Sequence, residues 1–206
     1  MFNIAVLVSG NGTNLQAIID SIKTKDVDAS VKIVISDRPG AYALERADIE
    51  GIDYTIIDRK LYKKNLSDKI LEQVKDCDLI VLAGFLSILT GDILKVFEKR
   101  IINVHPSLIP SFCGPNMYGR KVHQAVLDRG VKISGCTVHV VDEGTDTGPI
   151  LVQKAVPVLE RDTPETLAQR ILPFEHQALC EAIDIFVENG QKAPGPRSVS
   201  SPTPWS

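Results

Sequence analysis

Residues Ile4-Ala5-Val6-Leu7-Val8-Ser9-Gly10-Asn11-Gly12-Thr13-Asn14-Leu15 join an uninterrupted apolar run to a glycine-rich turn, after which Leu15, Ile18, Ile19 and Ile22 recur at helical spacing. Apolar residues without polar alternation describe a strand covered on both faces, so the unit reads as strand, tight turn, helix. The same alternation continues outward. It predicts a strand over Val31 to Ile35, a helix over Ala41 to Ile49 closed by Gly51, a strand over Tyr54 to Ile57, a helix over Leu61 to Lys75, and the most apolar strand over Leu79 to Ala83. Repeated units of this kind need right-handed crossovers and predict an α/β fold, a mainly parallel twisted sheet with helices on both faces.

After Gly84-Phe85 a short helix is predicted near Gly91 to Glu98, with Thr90 as its cap, followed by the strand Ile101-Ile102-Asn103-Val104-His105. Pro106 and Pro110 force the chain out of the sheet there. Residues Ser111 to Gly119 lack periodicity and read as a long loop, before a helix around Val122, Ala125 and Val126 that Gly130 ends. Gly135 to Val141 and Ile150 to Val158 read as strands joined by the turn-rich stretch Asp142 to Pro149, a spacing that suits antiparallel addition at the late edge of the sheet. Thr163 and Pro164 start a long helix reaching Asn189-Gly190, which Pro173 should kink or divide. One domain is expected over residues 1 to 190, with a Pro- and Ser-rich tail over 191 to 206 that Trp205 alone could anchor.

A chain of 206 residues with 44% hydrophobic and 24% charged residues can bury one sizeable core. A net charge of −3 argues against a general polyanion surface, so nucleic acid is not an expected partner. Cys77, Cys113, Cys136 and Cys180 follow no zinc-type spacing and read as reduced thiols. The chain opens directly on a strand, with no charged leader and no apolar run of membrane-spanning length, so the expected location is cytoplasmic and no membrane is expected as partner.

Asn103 and His105 alternate with Val104 and so share one face at the carboxyl end of a strand, where ligands bind in open α/β sheets. A buried amide and imidazole need partners, and as satisfied core residues they would carry no chemistry. Asp146, in another turn at a strand boundary, supplies a reason to read chemistry: a carboxylate beside His105 would favour its charged form and fix its orientation for general acid-base work. Asp146 could equally be a turn-forming aspartate. The Ser9 to Asn14 turn can hold a phosphate on its backbone N–H groups and the following helix N-terminus, though Ser9 and Thr13 are also ordinary capping residues. Its glycine spacing does not match the dinucleotide fingerprint, so no nicotinamide cofactor is expected. His139 reads as a buried, hydrogen-bonded histidine, His123 and His176 lie within helices, and no HxH or HExxH spacing suggests a metal. Glu175 in a helix would ordinarily be a solvated charge.

Val8 to Ile18, Val81-Leu82-Ala83-Gly84-Phe85, Asn103 to Pro110 and Asp142 to Gly148, in this order, resemble the phosphoribosylglycinamide formyltransferases, a family of folate-dependent formyltransferases, over about residues 1 to 190. The resemblance implies a Rossmann-like formyltransferase fold with about seven strands, one late strand being antiparallel. It implies transfer of the formyl group of 10-formyltetrahydrofolate, the co-substrate, to the glycinamide amine of 5-phosphoribosylglycinamide in purine synthesis. By the same resemblance Asn103 and His105 would stabilise the oxyanion, His105 would donate a proton, and Asp146 would hold the imidazole charged and relay protons. The substrate phosphate would lie on Gly12, Thr13 and Asn14, with Glu175 at the ribose or amide end. The folate would meet Leu86, Ser87, Ile88 and Leu89, together with Asn103, Asp142, Glu143 and Gly144. Many relatives carry arginine where Ser87 stands, a charge that Lys63 or Lys64 would partly supply, the basic folate contact lying among Lys60, Lys63 and Lys64. Small molecules are the expected partners, for a monomer or weak homodimer. Two alternatives stand beside this reading. One is a formyltetrahydrofolate hydrolase, which shares the Asn, His, Asp set but usually carries an N-terminal regulatory domain for which a first strand at residue 3 leaves no space. The other is a non-catalytic phosphate- or folate-binding module.

Overall fold

The computed structural model describes residues 1–190, so the tail beginning at 191 and its Trp205 lie outside the described residues. The opening run forms β1 (Phe2–Val8), whose residues Ile4 to Val8 have no exposed surface, and α1 (Thr13–Lys23) follows the glycine turn. Next come β2 (Ala29–Ser36), α2 (Tyr42–Ile49), β3 (Tyr54–Ile56) and α3 (Arg59–Tyr62). They lead to α4 (Leu66–Val74), β4 (Leu79–Leu82), α5 (Asp92–Val96) and β5 (Ile101–His105). The chain closes with α6 (Arg120–Arg129), β6 (Ile133–Val140), β7 (Ile150–Pro157) and α7 (Pro164–Glu188).

The seven strands lie in the order β3-β2-β1-β4-β5-β6-β7. Pairing is parallel from β3 through β5; β6 runs antiparallel to both β5 and β7, so the expected late antiparallel strand is present. Because β1 neighbours both β2 and β4, the winding reverses between β1 and β4, and a crevice opens beyond their carboxyl ends. The sheet separates two hydrophobic clusters. Ile4, Val6, Val8, Ile102 and Val104 point into the larger one with α1, α2 and α7; Ala5, Leu7, Ile80, Leu82 and Ile101 point into the smaller one with α4 and α5. Their alternation follows from the two-residue period of a strand.

Three local expectations are corrected. The helix expected over Leu61 to Lys75 is divided: α3 ends at Tyr62, a 3₁₀ turn spans Lys63–Asn65, and Lys63 has φ 46°, outside the helical region. Thr90 does not cap α5, which is preceded by Gly91 at φ 77° without a side-chain cap; the Thr90 N–H instead donates to Ser67 Oγ at 2.9 Å. Pro173 does not divide α7, which runs unbroken for 25 residues. Thr163 does cap that helix, through a reciprocal pair with Thr166.

Candidate active site

The carboxyl ends of β1, β4, β5 and β6 surround a cleft of about 440 Å³. Pairing register brings its polar residues together. Asn103 on β5 lies between Leu82 of β4 and His139 of β6, so an amide and an imidazole meet across an antiparallel pair, with Asn103 Nδ2 3.2 Å from His139 Nε2. His139 Nδ1 is 2.9 Å from the carbonyl of Val140. A carbonyl only accepts, so Nδ1 carries hydrogen; Nε2, which faces both Asn103 Nδ2 and Asp146, accepts from Asn103 when the ring is neutral and donates to the Asp146 carboxylate when it is protonated. This fixes the amide and leaves its second Nδ2 hydrogen for a ligand. His139, which sequence alone presents as a structural histidine, thus lines the cleft and orients Asn103.

His105, buried at the end of β5, lies between two acceptors. Its Nε2 is 2.9 Å from the carbonyl of Phe112, and its Nδ1 is 3.6 Å from Asp146 Oδ2, a charge contact rather than a hydrogen bond. The loop after β5 is folded back to make this contact: Ser107 Oγ donates to the Ser111 carbonyl at 2.6 Å, and Phe112 adopts φ 53°. Asp146 also accepts from the Gly114 N–H at 2.9 Å and stands 3.5 Å from His139 Nε2. Burial alone would push its carboxyl up, but His139, the Gly114 N–H and the charge of His105 together hold it below the ordinary carboxylate value. The carboxylate therefore bridges both histidines and ties in the loop of residues 111–119.

On the β1 side the glycine turn enters α1 with Gly12 at φ 71°, a left-handed conformation. A Cβ at Gly12 would stand 2.6 Å from that of Ala43, so the turn and α2 are in backbone contact. Arg46 of α2, not identified from the sequence, clasps this turn: Nε donates to the Asn11 carbonyl at 2.8 Å and Nη1 to Gln16 Oε1 at 3.0 Å. Gly12 and Thr13 form the helix start, and Asn14 reaches the cleft wall. Its Nδ2 donates to Glu175 Oε2 at 3.2 Å, while its buried Oδ1 has no hydrogen-bond partner among the described residues. Burial raises the Glu175 carboxyl pKa, partly offset by the hydrogen bond from Asn14. Glu175 is thus no solvated charge: α7 presents it to the cleft opposite α1.

The third wall follows β4. Leu86, Ser87, Ile88 and Leu89 line it, with Asp142 and Gly144 across the cleft; Lys63 and Glu143 are exposed and do not line it. The Leu86 N–H donates to the buried Ser9 Oγ at 2.8 Å, tying this wall to the end of β1. Asp142 Oδ1 accepts from the Gly144 N–H and from Thr147 Oγ1, and a Cβ at Gly144 would lie 2.0 Å from that hydroxyl oxygen, so the opposite turn is tightly closed.

A carbonyl group seated here would have an amide donor and an imidazole on one side and room for a second reactant on the other, the requirement of group transfer at a carbonyl carbon. The chain belongs to the formyl transferase family, whose description matches residues 2–183. It is 40% identical over 181 residues to phosphoribosylglycinamide formyltransferase of Bacillus subtilis, covering 86% of this chain and 90% of that protein. It is 43% identical over 187 residues to the trifunctional purine biosynthetic protein adenosine-3 of Gallus gallus; this covers 88% of the chain but 18% of that much longer protein. Glycinamide ribonucleotide transformylase 1 from Symbiobacterium toebii superposes with a TM-score of 0.87 at 44% identity, over 92% of this chain and 89% of that one. A formyltetrahydrofolate deformylase from Pseudomonas syringae shares the fold, TM-score 0.83, at 25% identity over 91% of this chain and 62% of its own.

Proposed function

We propose that this chain transfers the formyl group of 10-formyltetrahydrofolate to the glycinamide amine of 5-phosphoribosylglycinamide. The observation that carries the reading is the convergence of Asn103, His105 and Asp146 on one cleft shared with the Asn14–Glu175 pair. The reaction breaks the bond between the formyl carbon and folate N10 and makes one to the amine, which loses a proton while N10 gains one. Asn103, held by His139, offers its free Nδ2 hydrogen to the negative charge that develops on the formyl oxygen. His105 supplies the second donor and the proton for N10. It must first exchange the Phe112 carbonyl for substrate at Nε2, while Asp146 keeps the ring in place. The N-terminus of α1 at Gly12, Thr13 and Asn14, buttressed by Arg46, takes the phosphate. Asn14 Oδ1 and Glu175, both acceptors, take hydroxyl or amine hydrogens of the ribonucleotide. Leu86, Ser87, Ile88, Leu89, Asp142 and Gly144, which line the cleft, serve the folate. The chain acts on small molecules in the cytoplasm as a monomer or weak homodimer; among the described residues no helix is long and apolar enough to cross a membrane.

The test is release of tetrahydrofolate, followed by absorbance, with and without 5-phosphoribosylglycinamide. Release that depends on the acceptor supports transfer; equal release without it would establish the hydrolase instead. His105→Ala is expected to lose turnover by a factor on the order of 10²–10⁴ while still binding both substrates. Retained turnover would overturn the role given to His105.

A further inference from the structure

The loop that follows β5 is clasped at its start and emerges further on. Thr137 of β6, with no exposed surface, holds the start: its Oγ1 donates to the Ser107 carbonyl at 2.7 Å and accepts from the Ile109 N–H at 3.1 Å. Gln153 of β7 completes the clasp, its Nε2 donating at 3.0 Å both to Thr137 Oγ1 and to the Ile109 carbonyl. A Cβ at Gly135 would stand 2.9 Å from Leu108 Cδ2, so the loop packs closely on β6 here. Beyond Pro110 the chain turns outward, with Ser111 exposed and Phe112 half-buried.

Ser107 stands between the two parts, itself without exposed surface, and its hydroxyl faces two carbonyls. Its Oγ donates to the Ser111 carbonyl at 2.6 Å and lies 3.3 Å from that of Phe112, the same carbonyl that occupies His105 Nε2 at 2.9 Å. A hydroxyl has one hydrogen and 3.3 Å is long for it, so here Ser111 holds that hydrogen and Phe112 depends on His105. The two carbonyls differ in what they can do without a protein donor. Ser111 is exposed, and water can take the place of the hydroxyl. Phe112 is half-buried in a left-handed backbone, φ 53°, that directs its carbonyl between His105 and Ser107. A carbonyl left there without a donor shifts the equilibrium against that state by a factor on the order of ten.

We propose that Ser107 is a positioning residue that releases His105 for the reaction: as the imidazole leaves the Phe112 carbonyl for the formyl oxygen, the Ser107 hydroxyl turns from Ser111 to Phe112 and replaces it as donor. The inference rests on the transfer reading above and names the group that lowers the cost of its first step. The exchange conserves hydrogen bonds. The ring gains the formyl oxygen, Phe112 gains Ser107, and Ser111 gains water. The clasp of Thr137 and Gln153 fixes the backbone of Ser107, so rotation of one hydroxyl is the main motion required.

The test compares the wild type with Ser107→Ala and with Ser107→Cys, a near-isosteric change to a weak donor. Ser107→Ala is expected to lower kcat about tenfold while changing KM for either substrate by less than about twofold, with Ser107→Cys in between. The second readout is the His105 ring in protein carrying 15N-labelled histidine, followed by NMR as 10-formyl-5,8-dideazafolate is added to saturation. Without an acceptor the formyl group of this analogue stays in place. In the wild type the Nε2 resonance should move as the ring passes from Phe112 to the formyl oxygen; in Ser107→Ala most of the ring should keep its ligand-free position. Should Ser107→Ala fail to fold, Ser107→Cys carries the same comparison. An unchanged kcat, or a ring that moves as fully in the variants as in the wild type, would overturn this inference alone. Failure of the wild type to bind the analogue would overturn the folate reading together with it.

Discussion

Asp146 has φ 59°, a left-handed conformation that costs a non-glycine residue on the order of 1 kcal/mol, and the surrounding contacts with Gly114, His105 and His139 offset that cost. Its folded pKa lies below its unfolded value, so it contributes stability that is fully present above the ordinary carboxylate range and lost as pH falls through the depressed folded value. Asp146→Asn keeps the shape and removes the charge. It is expected to flatten the acid limb of a stability profile taken between about pH 6 and pH 2, and to lower kcat by a factor on the order of 10²–10⁴. An unchanged acid limb with unchanged kcat would leave Asp146 a turn residue. Gly12→Ala should be costly for a different reason, since the added Cβ meets Ala43 at 2.6 Å in a left-handed backbone. A loss of about 1–3 kcal/mol in denaturant unfolding, with a raised KM for the ribonucleotide, is the expected outcome. Alternation, prolines and the family motif made Asn103, His105 and Asp146 legible in the sequence. His139 was visible only as a buried histidine, because its meeting with Asn103 depends on the register of two strands separated by a long loop and a helix. Arg46 and Asp37 were missed because each acts across a tertiary contact, with Asn11 and with Ser87, that no local spacing encodes.

At the scale of elements, α7 carries an exposed proline, Pro173, within an unbroken helix, two residues before Glu175. Proline supplies no N–H to the carbonyl of Gln169 and its ring crowds that turn. Pro173→Ala is therefore expected to raise stability by about 1–3 kcal/mol in denaturant unfolding, and a loss of stability would mean that the helix is built around the ring. The entry to α7 is held by Asp162, which takes two 2.6 Å hydrogen bonds from Arg170 and one from the Leu159 N–H. The Arg170 guanidinium holds the Asp162 carboxyl well below the usual carboxylate range, so its contribution too is present near neutrality and lost in strong acid. Arg170→Met should remove that part of the acid dependence. Apolar periodicity identified every strand and most helices, since burial on a sheet imposes it directly. The break at Lys63 was not legible: apolar residues lie at helical spacing on both sides of it, and only a positive φ at a lysine, with no glycine to signal it, separates them.

For the whole molecule, the two clusters on opposite faces of the sheet support different parts of the cleft. Leu15 of α1 and Leu179 of α7 belong to the larger one, beside Asn14 and Glu175; Phe85, Leu89 and Ile70 belong to the smaller one, beneath the wall proposed for folate. Leu179→Ala and Ile70→Ala each remove a fully buried side chain and are expected to cost about 2–5 kcal/mol. Their kinetic signatures should differ, the first raising KM for the ribonucleotide and the second KM for the folate. Equal effects on both constants would show that the sheet transmits strain between its faces. The division also bears on descent. A duplicated copy of this chain could accept changes beneath Leu89 until the wall proposed for the donor favoured another one-carbon compound, while the residues proposed to hold the acceptor around Asn14 stayed unchanged. Inheritance can thus act on the donor and the acceptor as two separate characters of a single sheet.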